Sequence, residues 1–221
     1  MPSGEENVIL TVDVTLFTLQ RGALAVALQR RDRAPFSGRP ALVGGYVHPE
    51  EDRDTMATAL RVLREKAGLG KVFLEQLMTF SGPNRDPRGW SASVAYYALV
   101  PEQDLAPLTA REILIVPAEE ARGLPFDHDA IVARGVERLR GKGSYSSLPA
   151  FLLPETFTLT QLREMYEKVM GVSLNDSAFR RKIEELHFVE PVEGAYSKVT
   201  ARPARLYRLR RPALTEFDRR L

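Results

Sequence analysis

The sequence contains no cysteine, which removes disulfides and thiolate metal sites and agrees with a reducing, cytoplasmic location. Histidine is scarce: His48, His128 and His187 are the only three. None has a partner at metal-site spacing, so zinc chemistry is not expected and no metal ligand is assigned. No apolar run approaches the ~18 residues of a membrane span. The opening Met-Pro-Ser-Gly-Glu-Glu lacks the basic-then-apolar layout of a secretion signal, and no membrane partner is expected. Internal repeats and low-complexity tracts are also missing. What remains is an ordinary globular composition, 44% apolar over 221 residues, enough for a real core and long enough for two domains.

Net charge is only +2, but it is unevenly spread. Residues 1–150 hold 18 basic and 19 acidic side chains, whereas residues 151–221 hold 13 and 10. From Ser197 to Leu214 the chain carries Lys198, Arg202, Arg205, Arg208, Arg210 and Arg211 with no acid between them. Such a stretch suits a polyanionic partner, although like-charge runs are also common on solvated surface strands.

Residues 7–19 alternate and are rich in Val, Ile, Thr and Leu, predicting a strand that returns through Arg21-Gly22 as a second strand over 23–29. Residues 35–40 read as loop. A helix is predicted over 53–66, with Met56, Ala59, Leu60, Leu63 and Ala67 on its apolar face and Gly68 as its stop. Strands follow at 72–81, 91–100 and 112–116, then a helix at 127–140. Gly141-Lys142-Gly143-Ser144 reads as a joint between units. Beyond it, Thr158-x-x-Gln161 is a capping box that starts a helix ending at Gly171. Asn175 or Asp176 caps a second helix running to His187. Strands at 188–191 and 205–209 enclose a tip containing Gly194 and Pro203. Helix, Gly-containing turn, helix and basic hairpin is the layout of a winged helix-turn-helix.

The most informative segment is GGYVHPEEDRDTMATALRVLREKAGL at 44–69: a diglycine turn, an acidic loop, an amphipathic helix and a closing Ala67-Gly68-Leu69. It resembles the Nudix box, G-x5-E-x7-R-E-U-x-E-E-x-G-U, where U is aliphatic. Arg61, Leu63, Glu65, Gly68 and Leu69 match it from the C-terminal end, while Val62 and Lys66 stand where glutamates belong. The loop is also longer, with sixteen positions from Gly45 to Arg61 instead of fourteen. Metal ions that bridge diphosphate oxygens and activate water need several oxygen ligands. Glutamates at i, i+3 and i+4 of one helix supply them from one face, but here that trio is Val62, Glu65 and Lys66. Valine offers no oxygen and an ammonium repels a divalent ion, so no catalytic residue is assigned. Glu50, Glu51 and Asp52 in the preceding loop are the remaining acids within reach. An ordinary amphipathic helix after an acidic loop is the plain alternative for the segment.

A phosphate-handling cavity without its metal can still bind nucleotides. Arg30, Arg31, Arg85 and Arg88, whose guanidinium forks suit diphosphate oxygens, are the effector-binding candidates, with Glu65 from the box helix. Trp90, Tyr96 and Tyr97 are aromatic candidates for stacking a base, none singled out. Asp127-His128 at the start of the second helix is as compatible with a cap as with ligand contact. In the second unit, Asn175, Ser177, Arg180, Arg181 and Lys182 occupy the first turns of the helix that would enter a major groove. Phe179, Ile183 and Leu186 take its buried face. Lys198, Arg202 and Arg205 of the hairpin suit phosphate contacts, which position without specifying.

Taken together, QRRD at 29–32, the altered box, RDPRG at 85–89, SVAYYALV at 93–100, FDHD at 126–129, FTLTQL at 157–162, FRRKIEEL at 179–186 and RPARLYR at 202–208 resemble the Nudix-related transcriptional regulators, the NrtR family. The resemblance covers nearly the whole chain. It implies an α/β plus α+β chain: an N-terminal Nudix-like α/β/α sandwich with a mixed sheet over 1–143 and a C-terminal winged helix-turn-helix over 144–221. It further implies a homodimeric bacterial repressor of NAD-metabolism genes that reads a palindromic double-stranded operator. Its effector would be ADP-ribose or a related nucleotide, and no cofactor is required. In TARPARLYR the glycine more usual before the Arg-Pro pair is absent. A second reading stays open, an active Nudix hydrolase of ADP-ribose or another nucleoside diphosphate derivative. A third is a nucleotide-binding adaptor that acts through proteins.

Overall fold

Residues Ile9–Gln20 form the longest strand, β1, and it organises the sheet. β1 runs antiparallel to β2 (Ala23–Arg30) and to β4 (Val43–Tyr46), and parallel to β6 (Ser91–Leu99). The short β3 (Pro40–Ala41) and β7 (Ile113–Pro117) pair with β2, and β5 (Phe73–Gly82) closes the far edge against β6. The result is a mixed seven-stranded sheet. The computed structural model describes residues 8–105, 108, 113–197, 203–218 and 221.

Side chains alternate across a strand, and β1 uses both faces. Val12, Val14 and Leu16 join Ala59, Val62 and Leu63 from helix α1 (Thr55–Val62) and the turn that follows it. Phe17 and Leu19 join Ile131, Val132 and Leu139 of helix α2 (His128–Gly143). One helix layer on each side of a sheet makes the α/β/α sandwich that the sequence resemblance implies.

Several local expectations need correction. Gly44-Gly45 is not a turn: both lie in β4, hydrogen-bonded across from Asp13 and Val12. The predicted box helix is two pieces, because Asp54 caps α1 at Ala57 N–H and Leu63–Ala67 is wound as a π-helix ending at left-handed Gly68. Single π turns often mark functional sites, and this one carries Glu65 and Lys66. Leu60 points outward, 39% exposed, because the apolar stripe of α1 is narrower than periodicity suggested. Gly194 sits inside a strand rather than at a tip, at a bulge where the register between β8 (Val189–Ser197) and β9 (Ala204–Leu209) shifts.

At the joint expected over 141–144, α2 continues through Gly143 and is capped by Ser144. A Cβ on Gly143 would lie 3.3 Å from Met170 and 3.5 Å from Val169, so its bare backbone admits helix α3 (Leu159–Met170) at close range. The apolar cluster on the α2 face passes without a break through Leu148, Phe157, Leu162 and Tyr166 to Phe179 and Phe188. Tyr166 seals the contact by donating its hydroxyl to the Ser146 carbonyl at 2.7 Å. The C-terminal segment laces the same region: Ser147 N–H bonds Thr215 O at 2.8 Å and Phe217 N–H bonds Tyr145 O at 2.7 Å.

α3 opens with the full capping box, Thr158 and Gln161 each bonding the other's backbone N–H, and stops at left-handed Gly171. Helix α4 (Asp176–Leu186) is capped by Asn175 and buries Phe179 and Ile183. The β8–β9 hairpin follows, joined to the segment before α3 by the Phe157–Tyr207 bridge. Two helices in a tight turn followed by a hairpin form a winged helix.

Candidate functional site

A cavity of about 270 Å³ opens between the end of β2, β4, the α1–π segment and the loops at 85–88 and 126–128. Its floor is Asp13, a carboxylate in the middle of an apolar strand. Ser93 Oγ donates to Asp13 Oδ2 at 2.6 Å, and Arg85 and His128 approach at 3.8 and 3.5 Å. Burial pushes the Asp13 carboxyl up, but His128, the Ser93 hydroxyl and the Arg85 guanidinium together outweigh it and hold the group below its ordinary range. Gly44 is required above it: a Cβ there would fall 2.2 Å from Asp13 Oδ1 and 2.8 Å from the Val12 carbonyl. His128 is fixed by the Leu42 N–H, which donates to its Nδ1 at 3.0 Å. That leaves Nε2 to present its N–H towards Asp13.

One wall is guanidinium and aromatic. Arg31 lies 4.8 Å over the Phe126 ring, and Arg88 lies 5.4 Å over Tyr46. Arg88 is also gripped by Asp86 through two bonds of 2.9 and 2.6 Å. Arg85 makes the same bidentate pair with Asp127, at 2.9 and 2.7 Å, and reaches Ser91 at 3.2 Å. Asp127 thus stands at the start of α2 but spends its carboxylate on Arg85, with no side-chain cap bond. Opposite, the helical wall presents Val62, Glu65 and Lys66.

Of the five effector candidates, Arg31, Glu65, Arg85 and Arg88 line the cavity. Arg30 does not: strand alternation turns it outward, where its Nη1 bonds Gly38 O at 2.8 Å. Arg85 faces the cavity with its guanidinium held by Asp127 and Ser91, so it frames the site. Tyr96 and Tyr97 are core residues, and Trp90, 44% exposed, is not among the lining residues. Sequence reasoning passed over Asp13, Tyr46 and Phe126. Only Asp13 carries a signal, a charge placed inside an otherwise apolar strand, V-D-V.

The second candidate surface is α4. Ser177 and Arg181 are exposed, and Lys182 is partly so. Asn175 uses its side-chain oxygen to cap Ala178 N–H at 3.0 Å. Arg180 is tethered, its Nε to Asp176 at 2.8 Å and its Nη2 to Thr160 at 3.2 Å. Arg181 and Lys182 have no ion pair among the described residues. On the hairpin Arg205 is exposed, whereas Arg208 is paired with Glu190 at 2.8 Å. Lys198 and Arg202 lie outside the described residues.

Residues 149–209 match the model of the NrtR DNA-binding winged helix domain. Over 215 residues the chain is 37% identical to the ADPR responsive transcriptional repressor NtrR of Acinetobacter baylyi, spanning 95% of this chain and 84% of the relative. The chain belongs to the NrtR family. Shewanella oneidensis NrtR in complex with a 27mer DNA superposes on it with a TM-score of 0.86 at 34% identity, covering 96% of this chain and 99% of that one. The NUDIX domain of the same Shewanella protein, complexed with ADP ribose, gives a TM-score of 0.55 at 34% identity over 63% of this chain and 93% of that one.

The Nudix half of an NrtR-family chain raises the question of a divalent metal. The donor set here does not fit one. Glu65 is the single carboxylate among the four helix positions that line the cavity, and Lys66 donates its ammonium to the Gly44 carbonyl beside it. Asp52, the loop acid nearest the helix, is buried in bonds from Arg61 Nε, Arg61 Nη2, Thr58 Oγ1 and the His48 N–H at 2.7–2.9 Å. Glu51 lies 3.6 Å from His48 and 3.9 Å from Arg61. Among the described residues no three His, Asp or Glu side chains gather into a group able to hold a metal ion.

Proposed function

We propose that this chain is a transcriptional repressor that binds operator DNA through α4 and the β8–β9 hairpin. Its grip loosens when an ADP-ribose-type nucleotide enters the Nudix cavity, and the nucleotide is not cleaved. The observation that carries the reading is the coexistence, among the described residues of one chain, of a cation-lined cavity without a metal-binding carboxylate set and a winged helix whose second helix carries Arg181 and Lys182 outside any ion pair. The names of the relatives point the same way: the Acinetobacter protein is a repressor responsive to ADPR, and the Shewanella protein has been captured with DNA and its NUDIX domain with ADP ribose.

The chemistry of each surface suits its assignment. Tyr46 and Phe126 offer flat faces to a base or sugar, and the arginines beside them offer charge to a diphosphate. Arg181 and Lys182 are placed to reach base edges, with Ser177 near them; Arg205 suits the phosphate backbone. A winged helix reads a palindrome as a two-fold pair, so the active form is a cytoplasmic homodimer on a palindromic site, and its targets are NAD-metabolism genes.

An effector moves such an equilibrium only by its difference in affinity for the two states. Helix α2 is the element through which that difference is felt. It begins at His128 on the cavity and ends at Gly143 against α3.

The test is a mobility shift with duplex from the chain's own upstream region. A shifted complex that weakens steeply with salt and disperses on adding ADP-ribose supports the reading. A chain that binds no duplex at any salt concentration contradicts it.

A further inference from the structure

Six cationic side chains line the cavity: Arg31, Arg33, Arg61, Lys66, Arg85 and Arg88. Four are matched by a carboxylate at ion-pair distance. Arg33 meets Asp32 at 3.3 Å, Arg61 meets Asp52 at 2.7 Å, Arg85 meets Asp127 at 2.7 Å and Arg88 meets Asp86 at 2.6 Å. Arg31 and Lys66 have no such partner among the described residues. Arg31 donates to the carbonyls of Pro35 and Arg33 at 2.8 and 3.5 Å, and Lys66 donates to the carbonyl of Gly44. The acids that both feel, Asp13 and Asp32, act from beyond ion-pair contact.

The two are also near enough to repel each other. Burial, with Arg33 and Arg31 close by, holds the Lys66 ammonium below its ordinary basicity. Burial and Arg88 do the same to Arg31. Two partly desolvated cations without a counter-ion are unfavourable in an empty cavity. They become favourable when an anion supplies charge-assisted hydrogen bonds to both. A diphosphate diester carries one negative charge on each phosphoryl group and can therefore bond both cations at once.

We propose that Arg31 and Lys66 form the diphosphate seat of this cavity, with the Lys66 ammonium supplying the positive charge that a divalent metal supplies in a Nudix hydrolase. Val62 and Lys66 then have opposite consequences. Val62 removes a ligand, while Lys66 replaces the ion itself. Effector binding therefore requires no divalent cation. The proposal rests on the nucleotide-sensing reading above and names the residues that read the phosphates.

Titration calorimetry of ADP-ribose into the full chain tests it, once with Mg²⁺ and once with EDTA. The expected result is the same affinity in both. Lys66→Gln and Arg31→Gln each weaken binding on the order of tenfold to a hundredfold, the effect of losing one charge-assisted contact. Lys66→Arg retains more affinity than Lys66→Gln, and Arg30→Gln, whose side chain points away, binds like the wild type. Circular dichroism and thermal unfolding verify that each variant is folded. Adenosine, which has no phosphates, binds wild type and Lys66→Gln alike. A wild type that needs Mg²⁺, or a folded Lys66→Gln with unchanged affinity for ADP-ribose, overturns the seat. If wild type ignores ADP-ribose but binds ADP or pyrophosphate in a Lys66-dependent way, the seat stands and the ADP-ribose reading falls. If none of these diphosphates binds, both fall.

Discussion

Arg61 holds Asp52 with two hydrogen bonds of 2.9 and 2.7 Å, Nε and Nη2 each taking one carboxylate oxygen. Arg61 Nη2 also reaches the Tyr46 carbonyl at 3.0 Å, so one guanidinium ties β4, the acidic loop and α1 together. The Asp52 side chain is 2% exposed. Removing its partner leaves a buried carboxylate uncompensated, and Arg61→Ala is expected to cost on the order of 3 kcal/mol of unfolding free energy. Urea denaturation measures it; a change below about 0.5 kcal/mol, the scale of an ordinary surface substitution, would contradict the role given to this pair.

The same pair sets an acid limb. Hydrogen bonds from Arg61 hold the Asp52 carboxyl well below its ordinary range. A carboxyl depressed in the folded state adds stability above its unfolded pKa of about 3.9, and that stability is lost as pH falls towards the folded value. Wild type is therefore expected to lose stability progressively below about pH 4. The Asp52→Asn variant, less stable at neutral pH, should show a shallower loss over the same range. Thermal midpoints from pH 3 to 7 check the sign.

Re-arming the helix is the complementary experiment. Val62→Glu combined with Lys66→Glu places carboxylates at 62, 65 and 66 on the cavity wall, the i, i+3, i+4 arrangement that oxygen-loving cations accept. Mg²⁺ or Mn²⁺ should raise the thermal midpoint of the folded double variant and leave wild type unmoved. Equal responses from the two proteins would mean that the native residues already suffice for metal.

Gly44 should tolerate no side chain. A methyl there would sit 2.2 Å from Asp13 Oδ1 and 2.8 Å from a backbone carbonyl, and overpacking of that kind costs about 1–3 kcal/mol. Gly44→Ala should lower the thermal midpoint and weaken nucleotide binding together. A variant as stable and as avid as wild type would show that the cavity floor is softer than its geometry implies.

On the winged helix, Arg181→Ala should reduce duplex affinity by about 1–3 kcal/mol, the worth of a base-edge contact. Arg180→Ala should cost less, because Asp176 and Thr160 already hold its guanidinium. Arg205→Ala should weaken all duplexes alike and lower the salt slope by about one. Fluorescence anisotropy across a salt series separates the three.

Much of the fold is legible in the sequence because period and punctuation agree. The capping box at Thr158 and Gln161, the left-handed glycines at 68 and 171 and the Asn175 cap all act as their chemistry dictates. The box substitutions at Val62 and Lys66 are legible from residue type alone, since an alkyl group and an ammonium cannot ligate Mg²⁺. What stays hidden depends on tertiary pairing. Gly44-Gly45 looks like a turn until β1 supplies a partner strand. Arg30 and Arg31 are adjacent and equally basic, and only the strand's alternation sends one to the cavity and the other to solvent. Phe126 gives no local sign that Arg31 will lie over it, and Tyr46 none that Arg88 will. The Gly-rich joint at 141–144 gives no local sign that Met170 and Val169 will pack on Gly143.

The most direct measurement follows DNA and nucleotide in one tube. Protein bound to a fluorescent duplex of its own upstream region is mixed with ADP-ribose in the presence of Mg²⁺, with anisotropy reporting the DNA and phosphorus NMR reporting the diphosphate. The account predicts that the duplex is released while the ADP-ribose signals persist unchanged. Multiple-turnover conversion to AMP and ribose phosphate, with or without DNA release, would contradict it.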